Sequence, residues 1–303
     1  MARQQLQLES SDAGGRLDRV LARRLGLSRR AVWGLLREGG VQCDGQVMSL
    51  RDKGRAVSGG QRVMVGSAVP PGARRAIANP QLALKVAAAG RDWVIADKPS
   101  GMPVHPLEPS ETRTLLNAVI ARWPRLHGVG EGGLRSGVAH RLDVDTSGLV
   151  LLALTEGRWQ QFRKAFAEHR IEKRYLALVH GRVGDDGEAV MDLAITQHRP
   201  ARVRVVERGH ADSRRCSLAW QVRERFADAT LLEVELHTGF LHQIRVMLAH
   251  LGHAVVGDAV YAEVGAAAPR LMLHACRLAV DDQVRAQAEV PSAFAAVLGR
   301  AGA

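Results

Sequence analysis

The sequence predicts an α+β protein of two units, a small basic N-terminal module and a larger domain of short strands with interspersed helices. Three observations predict this. Positive charge is concentrated at one end: residues 1–66 hold 12 Lys and Arg against 6 Asp and Glu, more than half of the net charge of +11. Apolar residues recur first at helical spacing and later in short β-like runs. Between the two regions, GSAVPPGARRAIANP (residues 66–80) is rich in Pro, Gly and Ala and lacks periodicity, which marks a linker over 67–80. The units are therefore 1–66 and 81–303.

In the first unit, Leu17, Val20, Leu21 and Leu25 fall on one helical face. Ser28 is placed to cap a second helix carrying Ala31, Val32, Leu35 and Leu36, and Gly39-Gly40 stops it. Val41-Gln42-Cys43, the turn Asp44-Gly45 and Gln46-Val47 form a hairpin. Gly59-Gly60 makes another turn before a strand from Arg62 to Val65. Arg16, Arg19, Arg23 and Arg24 lie on the first helix, and Arg29, Arg30 and Arg37 on the second. Such charge runs are most often solvated helix faces. Here few acids stand nearby in sequence, so a face that meets a polyanion is expected.

In the second unit, strands are expected at Trp93–Ala96, Leu149–Leu154, Tyr175–Val179, Thr230–Leu236 and Leu271–Leu273. Helices are expected at Arg158–His169 and His242–Leu251. This mixture predicts an α+β domain.

Composition narrows the function. A sequence pI near 10.6 favours a polyanionic partner, because each neutralised phosphate releases counterions. Cys43, Cys216 and Cys276 form no CxxC pair and are odd in number, which fits a reducing cytoplasm. No apolar targeting segment opens the chain, and runs such as Gly148–Leu154 are too short to span a bilayer, so no membrane role is expected. GxxxxGKS/T does not occur, so the common ATP cradle is missing.

The densest polar segment of the second unit is HRLDVDTSG, His140–Gly148, which runs directly into the apolar strand LVLLAL. Polar groups at the mouth of a buried strand are well placed for catalysis. Spacing alone also fits plain turn chemistry, with Asp143 or Asp145 closing an Asx-turn. A calcium loop beginning at Asp143 needs a glutamate at its twelfth position, where Leu154 stands, so that reading fails. A transition-metal site at His140 and the aspartates lacks a second ligand cluster. His242, His250 and His253 are expected to be structural or RNA-facing, not metal ligands.

RLDRVLARRLGLSRRAVWGLLREGGVQCDG with VSGGQRVMV, roughly residues 14–66, resembles the S-four-type RNA-binding module, a small α/β unit. That resemblance implies Arg16, Ser28, Arg29 and Arg30 as RNA contacts. Gln61 stands where the module often has Asp.

HRLDVDTSG resembles the signature of the RluA-type pseudouridine synthase family. Its essential aspartate corresponds to Asp143, and Asp145 falls at a variable position. DKPSGMPVHP (97–106) resembles the family's Lys-Pro-x-Gly segment, EKRYLALVHG (172–181) its tyrosine strand, and LHTGFLHQIRVMLAHLGHAVVGDAVY (236–261) the segment of its active-site arginine. LMLHACRL (271–278) is similar to a late structural strand. The family commonly has Arg where Phe240 stands, which puts one local RNA contact in question.

The resemblance implies a mixed, mainly antiparallel catalytic sheet. It implies Asp143, Tyr175 and Arg245 as catalytic residues, and His140, Arg141, Thr146, Ser147, Gly148, Lys98 and Gln243 as substrate-binding ones. Asp143 would act as nucleophile or as general base, with Arg245 as its counter-ion and Tyr175 stacked on the target base. Pseudouridine formation gains no atoms or electrons, so no cofactor or metal is expected. Family members with the N-terminal module typically act on large-subunit ribosomal RNA, so the expected partner is structured 23S RNA, met by a cytoplasmic monomer. A transfer-RNA enzyme and a noncatalytic RNA-binding or ribosome-assembly factor are the alternatives. The trio Asp143, Tyr175 and Arg245 favours the enzyme.

Overall fold

A computed structural model describes residues 4–66, 75–198, 200–262 and 268–301. The chain divides into two compact units, 1–75 and 76–303. Residues 67–74, most of the expected linker, lie outside the described residues. Residues 76–80 are part of the second unit. Ala76 is buried in its core, and the Asn117 carboxamide donates to the Ile77 carbonyl at 2.6 Å. The Pro/Gly/Ala composition concealed this packing because one small buried side chain carries it.

The first unit comprises β1 (Gln4–Gln7), α1 (Leu17–Leu25), α2 (Arg29–Arg37), β2 (Val41–Cys43), β3 (Gln46–Met48) and β4 (Arg62–Val65). Its strands form one sheet in the order β1-β4-β2-β3. Ser28 caps α2 by accepting the Ala31 N–H at 3.2 Å. Asp44 and Gly45 both take positive φ, 49° and 84°, as a two-residue hairpin turn requires. Leu17, Leu21, Val32, Leu35 and Leu36 meet in one core with the sheet.

The expectation that the arginines of this unit have few acidic partners does not hold for Arg16, Arg23, Arg24 and Arg29. Asp12, fully buried, binds Arg23 and Arg24, each at 2.6 Å. Asp18, also buried, takes both nitrogens of Arg16 at 3.1 and 3.2 Å, the Trp33 indole at 2.9 Å and Arg29 at 3.5 Å. Asp12 lies eleven and twelve residues from Arg23 and Arg24, and Asp18 reaches Arg29 of the next helix, so a local count of charges misses most of these pairings. Arg19 and Arg30 are exposed and make no ion pair with a described residue.

The second unit is built on β5 (Lys85–Ala89), β6 (Trp93–Lys98), α3 (Leu115–Arg122), β7 (Ser147–Ala153), α4 (Glu156–Ala167) and β8 (Glu172–His180). The long strands β9 (Gly187–His198), β10 (Ala201–Val206), β11 (Arg214–Arg225) and β12 (Ala229–Leu236) follow. Then come α5 (Gln243–His250), β13 (Leu273–Ala279), β14 (Arg285–Gln287) and α6 (Ser292–Ala301). The sheet order is β10-β9-β11-β12-β8-β13-β7-β6-β5, with β14 on β13. All pairings are antiparallel except β13 with β7.

β7 is buried along its whole length because both faces are covered. Val150 and Leu152 pack with Leu116, Val119 and Ile120 of α3. Leu149 and Leu151 pack with Phe162 and Ala165 of α4. The late strand begins at Leu273, not Leu271, and runs on through His274, Cys276 and Arg277, whose polarity hid it. α5 begins one residue later than expected and leaves His242 outside it, in the left-handed region.

One row of residues crosses four strands. Tyr175 of β8 faces Ala275 of β13, Ala275 faces Gly148 of β7, and Gly148 faces Lys98 of β6. Gly148 takes φ 114°, and an added Cβ would lie 2.3 Å from the Ala275 carbonyl oxygen. Both conformation and space therefore demand glycine. We expect Gly148→Ala to destabilise the second unit by about 3 kcal/mol or more. Urea denaturation measures this, and a loss under about 1 kcal/mol would contradict it.

Candidate active site

β7 is entered through a tight turn. The Thr146 N–H donates to the Asp143 carbonyl at 3.2 Å, so the main chain closes the turn and the Asp143 carboxylate is free to face outward. Leu142 anchors the turn between the two main cores of the unit. From the other side, the segment after β6 clamps it. Gly101 N–H and the Lys98 ammonium both donate to the Val144 carbonyl at 2.9 Å, and the Ser100 hydroxyl donates to the Asp145 carbonyl at 2.6 Å.

The Asp143 carboxylate lines a cleft of about 630 Å³. Arg245, in the first turn of α5, reaches it with Nη1 at 3.1 Å from Oδ2. The other face of the guanidinium is taken by Asp258, whose oxygens accept from Nε and Nη2 at 2.7 and 2.8 Å. Asp258 is completely buried and Arg245 nearly so, while Asp143 keeps 23% of its side chain exposed. Burial pushes the Asp258 carboxyl up, but the hydrogen bonds and charge of Arg245 outweigh it and hold the group below its ordinary range. Val260 and Tyr261 N–H also donate to Asp258, at 2.9 and 3.1 Å.

Tyr175 forms part of the cleft wall and is 93% buried, so its exposed part faces the space beside Asp143. Burial, and then the charge of Asp143, raise its hydroxyl above the usual range, so it stays protonated. His140 also lines the cleft, but its Nε2 accepts the Leu151 N–H at 3.0 Å. Burial lowers its pKa to about 3, so it is a neutral wall residue. Arg141 is exposed at the rim, Thr146 is buried in the wall, and Gln243 lines the cleft with its amide committed. The Gln243 oxygen accepts from Phe240 N–H and the Thr238 hydroxyl, and its nitrogen donates to the Ser217 carbonyl.

Three residues expected to bind substrate do not reach the cleft. Lys98 is fully buried and donates to the carbonyls of Pro99, Met102 and Val144 at 2.8–3.0 Å. Burial pushes its ammonium down to about 8. Ser147 is buried between Arg270, which donates to its hydroxyl at 2.7 Å, and His274 Nδ1 at 2.8 Å. Gly148 serves the close approach of β13. These residues brace the turn that carries Asp143: Ser147 and Gly148 adjoin it in sequence, and Lys98 reaches it from β6.

Other cleft residues were not singled out from sequence. Lys173, Arg163 and Arg214 add positive charge to the wall. Behind the cleft lining, Asp258 and Tyr261 follow Arg245 by 13 and 16 residues across a loop, a spacing with no helical or strand period to reveal it. Phe240 lies in the cleft wall against the core, so an apolar surface stands where a basic side chain is common. Among the described residues, no group of three His, Cys, Asp or Glu side chains is placed to hold a metal ion. No helix among them is long and apolar enough to cross a membrane.

The sequence model of the RNA pseudouridylate synthase family matches residues 92–250, which include the turn carrying Asp143, Tyr175 and Arg245. This chain belongs to that family. A ribosomal large subunit pseudouridine synthase D of Nitrosomonas europaea is 35% identical over 280 residues, covering 88% of this chain and 77% of that protein. One of the same name from Xanthomonas campestris is 35% identical over 83% of this chain and 72% of its own length. Among solved structures, human RNA pseudouridylate synthase domain containing 1 superposes with a TM-score of 0.56 at 25% identity, over 70% of this chain and 84% of that one. The domain containing 4 protein gives 0.59 at 20% identity, over 71% and 92%, and shares the fold.

The clamp role of Lys98 in this pseudouridine synthase is testable. Lys98→Met would leave the Pro99 and Met102 carbonyls without a donor, each costing about 1–3 kcal/mol, while Val144 keeps the Gly101 N–H. We expect a loss of roughly 3 kcal/mol or more in chemical denaturation, with RNA affinity of the folded fraction unchanged. A stable variant with weakened RNA binding would restore Lys98 to the substrate site.

Proposed function

We propose that this chain isomerises uridines of large-subunit ribosomal RNA, with Asp143 acting on the target nucleotide as nucleophile or general base. The observation that carries the chemistry is the Arg245–Asp143 ion pair at 3.1 Å, set in a cleft beside Tyr175. In the reaction the N1–C1′ bond breaks, the C5–C1′ bond forms, C5 gives up its proton and N1 gains one. Either role for Asp143 requires an ionised carboxylate, and the Arg245 guanidinium stands beside it as counter-ion at 3.1 Å. Tyr175 offers a buried ring on which the freed uracil can stack, worth about 1–3 kcal/mol per base. Extruding the uridine from folded RNA costs a few kcal/mol, which contacts elsewhere on the RNA help to offset.

The ribosomal target is supported by the names of the relatives, which are large-subunit enzymes. A cytoplasmic monomer is the form we assign to it. The N-terminal unit is read as the RNA anchor. Arg19 and Arg30 are its better candidate contacts, because Arg16 and Arg29 are paired with Asp18 and Ser28 caps a helix.

We expect Asp143→Asn to retain the fold and to lower tritium release from large-subunit RNA containing 5-tritiated uridine by roughly 10³-fold or more. Near-normal release would remove Asp143 from the chemistry. Arg245→Met is a less clean test, because it strands the buried Asp258 charge at a cost of roughly 3–5 kcal/mol. It should therefore be made together with Asp258→Asn.

Deleting residues 1–66 is expected to weaken RNA binding and to reduce the slope of log affinity against log salt, by about 0.7–0.9 per lost phosphate contact. The same affinity across a salt series would contradict the anchoring role.

A further inference from the structure

His242 stands just before α5 with φ 54° and ψ 18°. That left-handed conformation costs a residue other than glycine roughly 1–2 kcal/mol, so its surroundings must hold it there. They do so through the ring. Nδ1 lies 2.8 Å from the Tyr261 hydroxyl, and the two rings meet edge to face. The Tyr261 oxygen accepts the Val203 N–H at 3.0 Å. Its own proton then has one acceptor among the described residues, His242 Nδ1.

This pattern leaves the ring proton of a neutral His242 on Nε2. The groups facing the ring are Asp143, Arg245, Asp258, Arg141 and Tyr261. Burial lowers the pKa, against the pull of Asp143, and favours the neutral imidazole. Nε2 is 3.9 Å from Asp143 Oδ2, too far for a hydrogen bond to it. Arg245 has committed Nε and Nη2 to Asp258 and Nη1 to Asp143. The His242 Nε2–H is therefore an uncommitted, fixed donor beside the catalytic carboxylate.

Uracil leaving C1′ with the bonding electrons carries negative charge on its carbonyl oxygens. A preorganised donor at that position stabilises the charge as it develops. We propose that His242 is a further catalytic residue, a neutral Nε2–H donor to a carbonyl oxygen of the departing uracil, with Tyr261 as the positioning residue that fixes its proton. This rests on the isomerase reading above.

His242→Asn tests it. Asparagine tolerates the left-handed backbone, and its amide oxygen can accept from Tyr261, but it places nothing at Nε2. We expect thermal stability close to wild type, kcat for tritium release from 5-tritiated large-subunit RNA lowered about 10²-fold, and KM little changed. Tyr261→Phe should give a smaller loss, and ring ¹⁵N spectra should show His242 passing from one Nε2–H form to a mixture. A full-rate His242→Asn variant, or a wild-type ring protonated on Nδ1, overturns the proposal while leaving the isomerase reading intact. Wild-type protein inert on this RNA overturns both.

Discussion

Arg245 is held by two carboxylates of unequal burial. Asp258 has no exposed side-chain surface, and Asp143 keeps about a quarter. The buried partner fixes the guanidinium with two hydrogen bonds and takes two backbone N–H groups besides. Only the remaining Nη1 is turned to Asp143. A buried ion pair adds little net stability over an apolar replacement, but removing one member is costly. The pair is thus better understood as a mount. It keeps a cation at a fixed place beside a carboxylate that stays partly open to the cleft.

The turn carrying Asp143 is rigid for reasons located in other strands. The row Tyr175, Ala275, Gly148 and Lys98 ties four strands together at the level of the turn. Glycine permits β13 to approach, and Lys98 with Ser100 and Gly101 pins the carbonyls of Val144 and Asp145. Half of the signature HRLDVDTSG therefore serves to place the other half. Arg141, Asp143 and Thr146 meet the cleft, whereas Ser147 and Gly148 face the sheet.

Much of this was legible in the sequence where the cause is local. The helices and hairpin of the N-terminal unit follow from periodicity, a serine cap and an Asp-Gly turn. The carboxylate, tyrosine and arginine were legible through the family resemblance. What could not be read depends on distance. Asp12 meets Arg23 and Arg24 from eleven and twelve residues away, Asp18 reaches Arg29 of the next helix, and Asp258 meets Arg245 across a loop. Lys98 looked like a cation for RNA because sequence shows its charge but not the carbonyls that enclose it. For His242 the sequence left a structural and an RNA-facing role open, because its backbone conformation, and the hydroxyl that orients its ring, have no signature in neighbouring residues.

The charge balance of the cleft gives these placements a further logic. Arg245 with Asp143 and Asp258 carries a net charge of −1, and a polyphosphate chain would be repelled from it. Arg141, Arg163, Lys173 and Arg214 surround the same cleft and reverse the sign at its walls and rim. Lys173 donates to the Thr238 carbonyl at 3.2 Å, and burial lowers its ammonium to about 8, so at neutral pH it keeps most of its charge. On the proposed function, phosphates would be drawn to the rim while the base meets an interior of Tyr175, Phe240 and the rings of His140 and His242. This division suits a flipped nucleotide, because it sorts the anionic from the uncharged parts before the proposed reaction at the carboxylate.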